Sequence, residues 1–123
     1  MSKRLVTVLM VVFVLMFSLS ACGALKDISN LGDKFMSALS TQDNATSYAM
    51  LSADIQAEVG YEAGWADWTS IRAFDDWKFT SSSIENDLAT LEGTAQLDGD
   101  EYLVTLKFTK NGDVWELTTI IFE

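Results

Sequence analysis

From Trp77 to the C-terminus, apolar and polar side chains alternate with a period of two, which predicts strands with one buried face. The first run is weak: Trp77 and Phe79 alternate, then Ser81, Ser82 and Ser83 dilute the pattern. The second is clear, with Ala89, Leu91, Gly93, Ala95 and Leu97 on one face and Thr90, Glu92, Thr94 and Gln96 on the other. Asp98-Gly99 and Asn111-Gly112 are two-residue hairpin signals. Between them Tyr102, Val104, Leu106 and Phe108 alternate with Glu101, Leu103, Thr105 and Lys107, and Trp115, Leu117, Thr119 and Ile121 supply the last apolar face. With Asp98-Gly99 as a loop, Ala95 faces Tyr102 and Leu91 faces Leu106. With Asn111-Gly112 as a loop, Phe108 faces Trp115, Leu106 faces Leu117 and Tyr102 faces Ile121. On the opposite side Lys107 meets Glu116 and Thr105 meets Thr118, favourable cross-strand pairs. A slip of one residue would turn a strand over, so this agreement predicts an antiparallel meander with one buried side.

Upstream the period lengthens to three and four. Ile28, Leu31, Phe35 and Leu39 form one stripe of a helix, with Asn30 and Asp33 placed to cap its start. Asp43 or Asn44 can cap a second helix through Leu51, and Ser52 a third, with Ile55 and Val59 on one face and Gly60 as its stop. After Gly64, Trp65, Trp68 and Ile71 recur every three residues and suggest a short fourth helix. Helices followed by an antiparallel sheet of about four strands make an α+β domain, the helices covering the apolar side of a curved sheet.

The N-terminus follows neither pattern. Lys3 and Arg4 precede an apolar run from Leu5 to Phe17 broken only by Thr7; Ser18, Leu19, Ser20 and Ala21 follow, small but for Leu19, and then the chain's one cysteine. A cationic start, an apolar middle and a small-residue cleavage site make a secretory signal. Leu19-Ser20-Ala21-Cys22 resembles, at every position, the lipobox of bacterial lipoproteins. The resemblance implies cleavage between Ala21 and Cys22, acylation of Cys22, and a lipid-anchored place at the cell membrane or outer membrane, facing the periplasm or the cell exterior. A retained transmembrane helix would need about 20 apolar residues, more than the stretch from Leu5 to Ala21 offers. An ordinary secretory signal would need no cysteine at the cut. The chain therefore divides into a signal over residues 1–21, a lipidated N-terminus and short linker over 22–26, and one domain over 27–123.

Charge narrows the partners. Lys3 and Arg4 are two of the eight cations and the signal holds no acid, so from Cys22 onward 6 Lys/Arg stand against 18 Asp/Glu, a formal −12. That disfavours nucleic acid and anionic head groups. The chain has no histidine, which excludes Ser-His-Asp and Cys-His nucleophile chemistry and histidine-rich metal sites. No cofactor or metal is expected; the carboxylates of Asp98-Gly99-Asp100-Glu101 read as turn chemistry, without the spacing of a calcium loop.

Phe35-Met36-Ser37-Ala38-Leu39, Asp43 and Tyr48-Ala49-Met50-Leu51-Ser52 resemble the opening of small nuclear-transport-factor-2-like domains. Gly93-Thr94-Ala95, Asp98-Gly99 and Asn111-Gly112-Asp113-Val114-Trp115-Glu116-Leu117 are similar to the closing strands of that superfamily. The resemblance implies a curved sheet and helices enclosing a cone-shaped cavity. It also brings an alternative, ketosteroid-isomerase-like or polyketide-cyclase-like catalysis by Asp and Tyr side chains in the cone, although no catalytic motif of those enzymes is matched. Acid candidates come only from the helical half and its exit, Asp67, Asp75 and Asp76. The aromatic residues suggest a pocket for a small apolar ligand, formed by Tyr48, Tyr61, Trp65, Trp68, Trp77, Tyr102 and Thr119; the alternative is that the same tryptophans fill the interior and leave a structural module. On the outer sheet face Leu103, Ile120 and Phe122 interrupt polar neighbours and could receive an envelope protein or a second copy, giving a homodimer through the sheet.

Overall fold

The first helix is longer than its capping signals imply. In the computed structural model, which describes residues 23–60 and 63–123, α1 runs over residues 23–41 and is already formed at Gly23. Asn30 and Asp33 are exposed positions within it rather than its start, and residues 23–26, expected as a linker, are helical. Nothing between Gly23 and Asn30 breaks a helix, and Ala24, Leu25 and Lys26 favour one. Ile28, Phe35, Met36 and Leu39 are fully buried, and a Cβ added at Gly32 would collide with Leu91 and Phe79 of the sheet. That close approach is why the helix carries a glycine despite its cost in helix propensity.

The end of α1 closes without the usual glycine. Gln42 adopts φ 59°, while its N–H donates to the Leu39 carbonyl and the Asp43 N–H to that of Ala38, the paired bonds of a Schellman stop. The Gln42 side chain Nε2 donates to the carbonyls of Leu39 (2.7 Å) and Thr69 (2.8 Å), offsetting the left-handed backbone and tying α1 to a later helix. Three short helices follow: α2 (Asn44–Ala49), α3 (Ala53–Val59) and α4 (Ala63–Ser70). Asp43 caps α2 and Ser52 caps α3 by accepting from the N–H of Thr46 and Ile55, and Gly60 ends α3 at φ 73°. On α4, Trp65 is buried and Trp68 half-buried, but Ile71 lies beyond the helix end and is 68% exposed.

Four strands, β1 (Asp76–Glu85), β2 (Leu88–Leu97), β3 (Asp100–Asn111) and β4 (Val114–Phe122), form one antiparallel sheet in chain order. The weak first run is a full strand. A bulge at Thr80 shifts its parity, so that Trp77 and Phe79 before it and Ser82 and Ile84 after it pair with inner-face positions of β2. The serines that blur the pattern sit at this bulge. A Cβ at Gly93 would collide with the Lys78 carbonyl, so the small residue admits β1 backbone rather than leaving room for a ligand. The β2–β3 register is as expected, with Ala95 opposite Tyr102 and Leu91 opposite Leu106.

The β3–β4 register is not. Asn111 pairs with Val114, making Gly112-Asp113 the loop, and Phe108 faces Leu117 rather than Trp115. Only Gly112, at φ 65°, takes the left-handed conformation there, which suits a loop with glycine at its first position. A second bulge leaves Thr118 unpaired; beyond it Lys107 faces Thr119, Leu106 faces Ile120, Thr105 faces Ile121 and Val104 faces Phe122. The expected Lys107–Glu116, Thr105–Thr118 and Tyr102–Ile121 pairs are therefore absent. Ile120 and Phe122 turn inward while Thr119 and Ile121 turn outward. Phe122 lies 4.7 Å from Phe74 and 5.9 Å from Trp68, ring centre to ring centre, contacts that the other parity would forfeit.

All four helices lie on the inner face. Ile28, Phe35, Met36 and Leu39 of α1, Leu51 after α2, Trp65 of α4 and Phe74 before β1 join Ala89, Leu91, Ala95, Val104, Leu106, Phe108 and Leu117 in one core. Tyr48 of α2 with Ile55 and Val59 of α3 packs half-buried against it. The α2–α3 junction also covers the free edge of β4: the Ser52 N–H donates to the Leu117 carbonyl at 2.9 Å, and the Leu117 N–H to that of Met50 at 2.8 Å. The buried polar groups, Ser47, Ser52 and Thr69, are all hydrogen-bonded.

Candidate functional site

Where α3 and α4 lean over β4, they enclose an open cleft of about 330 Å³ lined by Ile55, Glu58, Val59, Trp65, Trp68, Thr118, Thr119 and Ile120. Three choices of sequence build it. The Ser52 cap and Gly60 stop fix the length of α3 and present Ile55 and Val59 on one side. Trp65 and Trp68 stack at 4.8 Å with an interplanar angle of 14°, and the bulge at Thr118 aims Ile120 into the cleft floor.

Trp65 is held firmly. It is 2% exposed, and its indole N–H donates to the buried Ser47 hydroxyl at 2.8 Å, satisfying the one polar atom of a buried tryptophan. Its ring belongs to the core, and the more exposed Trp68 forms the accessible wall. Arg72 lies over Trp68 with its guanidinium carbon 4.1 Å from the ring centre, and its Nη1 donates to the Trp68 carbonyl at 2.7 Å. Partial burial pulls the Arg72 pKa below the usual guanidinium value, yet the group stays charged. The cation braces Trp68 against motion by a cation–π contact.

The residues expected to form one pocket are thus separated. Trp65, Trp68 and Thr119 line the α3–α4–β4 cleft. Trp77 and Tyr102 flank Ala95 in one inner-face row across β1, β2 and β3. There Tyr102 packs edge-on against Phe74 at 5.8 Å, and the Trp77 indole N–H donates to the Asp33 carboxylate at 3.2 Å. Tyr48 sits at the α2–α3 junction, where its hydroxyl donates to the Gln56 carbonyl at 3.3 Å. Tyr61 and Cys22, with the whole signal segment, lie outside the described residues. The expected partner patch is corrected as well: Ile120 and Phe122 pack against the core, leaving Leu103, 59% exposed, and Ile121, 37% exposed, on the outer face. The sequence singles out none of Ile55, Glu58, Val59 and Thr118 as site residues, and it assigns Ile120 to the outer face instead of the cleft. The face shared by Ile55 and Val59 is readable from their spacing, whereas Thr118 and Ile120 depend on a bulge that alternation does not reveal.

Among the described residues no carboxylate is buried. Asp67 is exposed on α4; Asp76 opens β1; Asp75 accepts the Asp98 N–H at 3.1 Å. Asp43 is held below the usual carboxylate range by the Thr46 hydroxyl and then the Thr46 N–H, as a helix cap should be. No cluster of three or more potential metal ligands occurs among the described residues. A second open cleft, about 410 Å³, lies between Asp27, Asn30, Leu31 and Lys34 of α1 and Asp113, Val114 and Trp115 of the β3–β4 hairpin. Compared with known protein families and with curated proteins, the chain matches none.

Proposed function

We propose that this protein is a lipid-anchored component of a bacterial cell envelope whose domain binds a small apolar molecule in the α3–α4–β4 cleft. The cleft itself carries the binding half of this reading. Its volume of about 330 Å³ is at the small end of ligand sites, and Ile55, Val59, Trp68 and Ile120 give it an apolar wall beside a polar share of similar extent that includes Glu58, Thr118 and Thr119. At roughly 30 Å³ per water, a ligand filling it displaces about ten waters. Leu19-Ser20-Ala21-Cys22 supports the anchoring half, and acyl chains on Cys22 hold the protein at the membrane. Helices preceding an antiparallel meander support assigning the domain to the nuclear-transport-factor-2-like class. Binding is favoured over catalysis because, among the described residues, the one carboxylate lining the cleft, Glu58, is exposed, and a general acid or base needs an ionisable group held against the substrate.

An apolar fluorescent probe such as N-phenyl-1-naphthylamine tests the cleft. Saturable binding with quenching of tryptophan emission is expected, and Val59→Trp, which fills the cleft from a half-exposed position, abolishes it. Equal binding by wild type and Val59→Trp, or no binding by wild type, contradicts the reading.

A further inference from the structure

The formal −12 of the chain from Cys22 onward argues for repulsion from an anionic membrane, but its distribution decides the outcome. On α1, Lys26 and Lys34 balance Asp27 and Asp33; at the nearby hairpins Lys107 and Lys110 offset two of the four carboxylates Glu85, Asp87, Asp113 and Glu116. Asp75, Asp76, Asp98, Asp100 and Glu101 gather at the other end, where the Asp98 N–H bonds the Asp75 carboxylate. At about 3.4 Å per residue, β3 puts Asp100 roughly 35 Å from Asn111. That is several Debye lengths of about 8 Å at physiological ionic strength. The acidic pole therefore exerts almost no repulsion on a surface touched by the opposite end.

The opposite end is also the one that α1 faces near its start, where Asp27 shares a cleft with Asp113 and Val114. Gly23, joined directly to Cys22, is already helical, so no flexible tether among the described residues separates α1 from the acylation site. The face of α1 bearing Asp27 and Leu31 sits against the β3–β4 hairpin at Asp113, Val114 and Trp115. The Lys110 N–H donates to the Asp87 carbonyl at 2.8 Å, tying the β1–β2 and β3–β4 hairpin tips together. Large apolar side chains are exposed at these tips, Val114 at 61% and Leu88 at 45%, and Leu25, 39% exposed, lies two residues before Asp27 on α1.

We propose that this end of the domain, the paired hairpin tips with Leu88 and Val114 and the start of α1 with Leu25, rests on the lipid head groups of the membrane that holds Cys22. The inference rests on the anchored reading above. Acyl chains at Cys22 bring the bilayer within reach of α1. The exposed apolar groups then enter the interfacial region, and Lys26 and Lys110 supply cations for lipid phosphates. The acidic pole points away, and the outer face of the sheet stays in water.

Nitroxide labels at Val114→Cys and Asp100→Cys, both exposed positions, test the contact in acylated protein on phosphatidylethanolamine–phosphatidylglycerol vesicles. A several-fold loss of relaxation by a water-soluble nickel chelate is expected at position 114 and none at position 100. Acylated, vesicle-bound protein with equal accessibility at the two positions overturns the contact alone. Protection at position 114 that grows with protein density on the vesicle marks a second copy and also overturns it. Protein recovered from a producing bacterium without acyl chains on Cys22 overturns the anchoring, and the contact with it.

Discussion

The β2–β3 and β3–β4 hairpins share a strand and are built on similar two-residue loops, yet one follows the alternation of its sequence and the other departs from it. In β2–β3, Asp98 and Gly99 both take positive φ, at 52° and 86°, and the ladder runs without interruption from Leu97–Asp100 to Leu88–Thr109. In β3–β4 the loop moves one residue on and Thr118 is extruded. The difference lies in what each strand offers its two faces. Thr90, Glu92, Thr94 and Gln96 can face only water, so β2 has a single acceptable parity. Ile120, Ile121 and Phe122 are apolar at both parities, and the choice falls to tertiary contact, which brings Phe122 onto Phe74 and Trp68.

Deleting one residue from each strand gives the largest expected contrast. Removal of Thr94 turns half of β2 over and should abolish the cooperative unfolding transition. Removal of Thr118 leaves Phe108–Leu117 and Leu106–Ile120 paired as they are and erases the bulge. It sacrifices the hydroxyl's bonds to the Lys107 carbonyl and Thr109, at about 1–2 kcal/mol. Equal loss of folding in the two deletions would refute the extruded residue.

Alanine substitution at neighbouring positions reads the same parity more gently. Phe122→Ala should lower stability by roughly 2–3 kcal/mol through loss of an aromatic contact in the core, and Ile121→Ala by less than about 0.5 kcal/mol. Denaturant melts of the two variants check the order, and a reversal would restore the parity that simple alternation implies.

The helical half was legible for local reasons. Asp43, Ser52 and Gly60 each act through groups within a turn of themselves, so the start of α2 and both ends of α3 are written in short stretches of sequence. By contrast α2 stops at Ala49, short of the expected Leu51, which bridges to Leu117 instead. The long start of α1 was hidden because Asn30 and Asp33 imitate a cap while lying on its exposed side. The site was readable in part. Trp65 and Trp68 stood out by type and spacing, but their grouping with Ile55, Val59 and Ile120 depends on how α3 crosses β4 and on the bulge. Trp77, by contrast, shares only its residue type with the cleft.

A smaller effect separates the local cap from the long-range sheet. Bonding to Thr46 depresses the pKa of Asp43 in the folded chain, so its contribution is complete above the unfolded carboxylate value and lost as pH falls through the folded one. The stability difference between wild type and Asp43→Asn should be constant near neutrality and shift only in acid. The Phe122→Ala deficit should show no matching acid dependence, and parallel pH profiles for the two variants would contradict this division.

The proposed placement of the protein at a membrane is tested most directly by the intact mass of the polypeptide extracted from the membranes of a producing bacterium. The expected species begins at Cys22 and carries acyl chains on that residue. An unmodified chain that retains residues 1–21 would contradict the account.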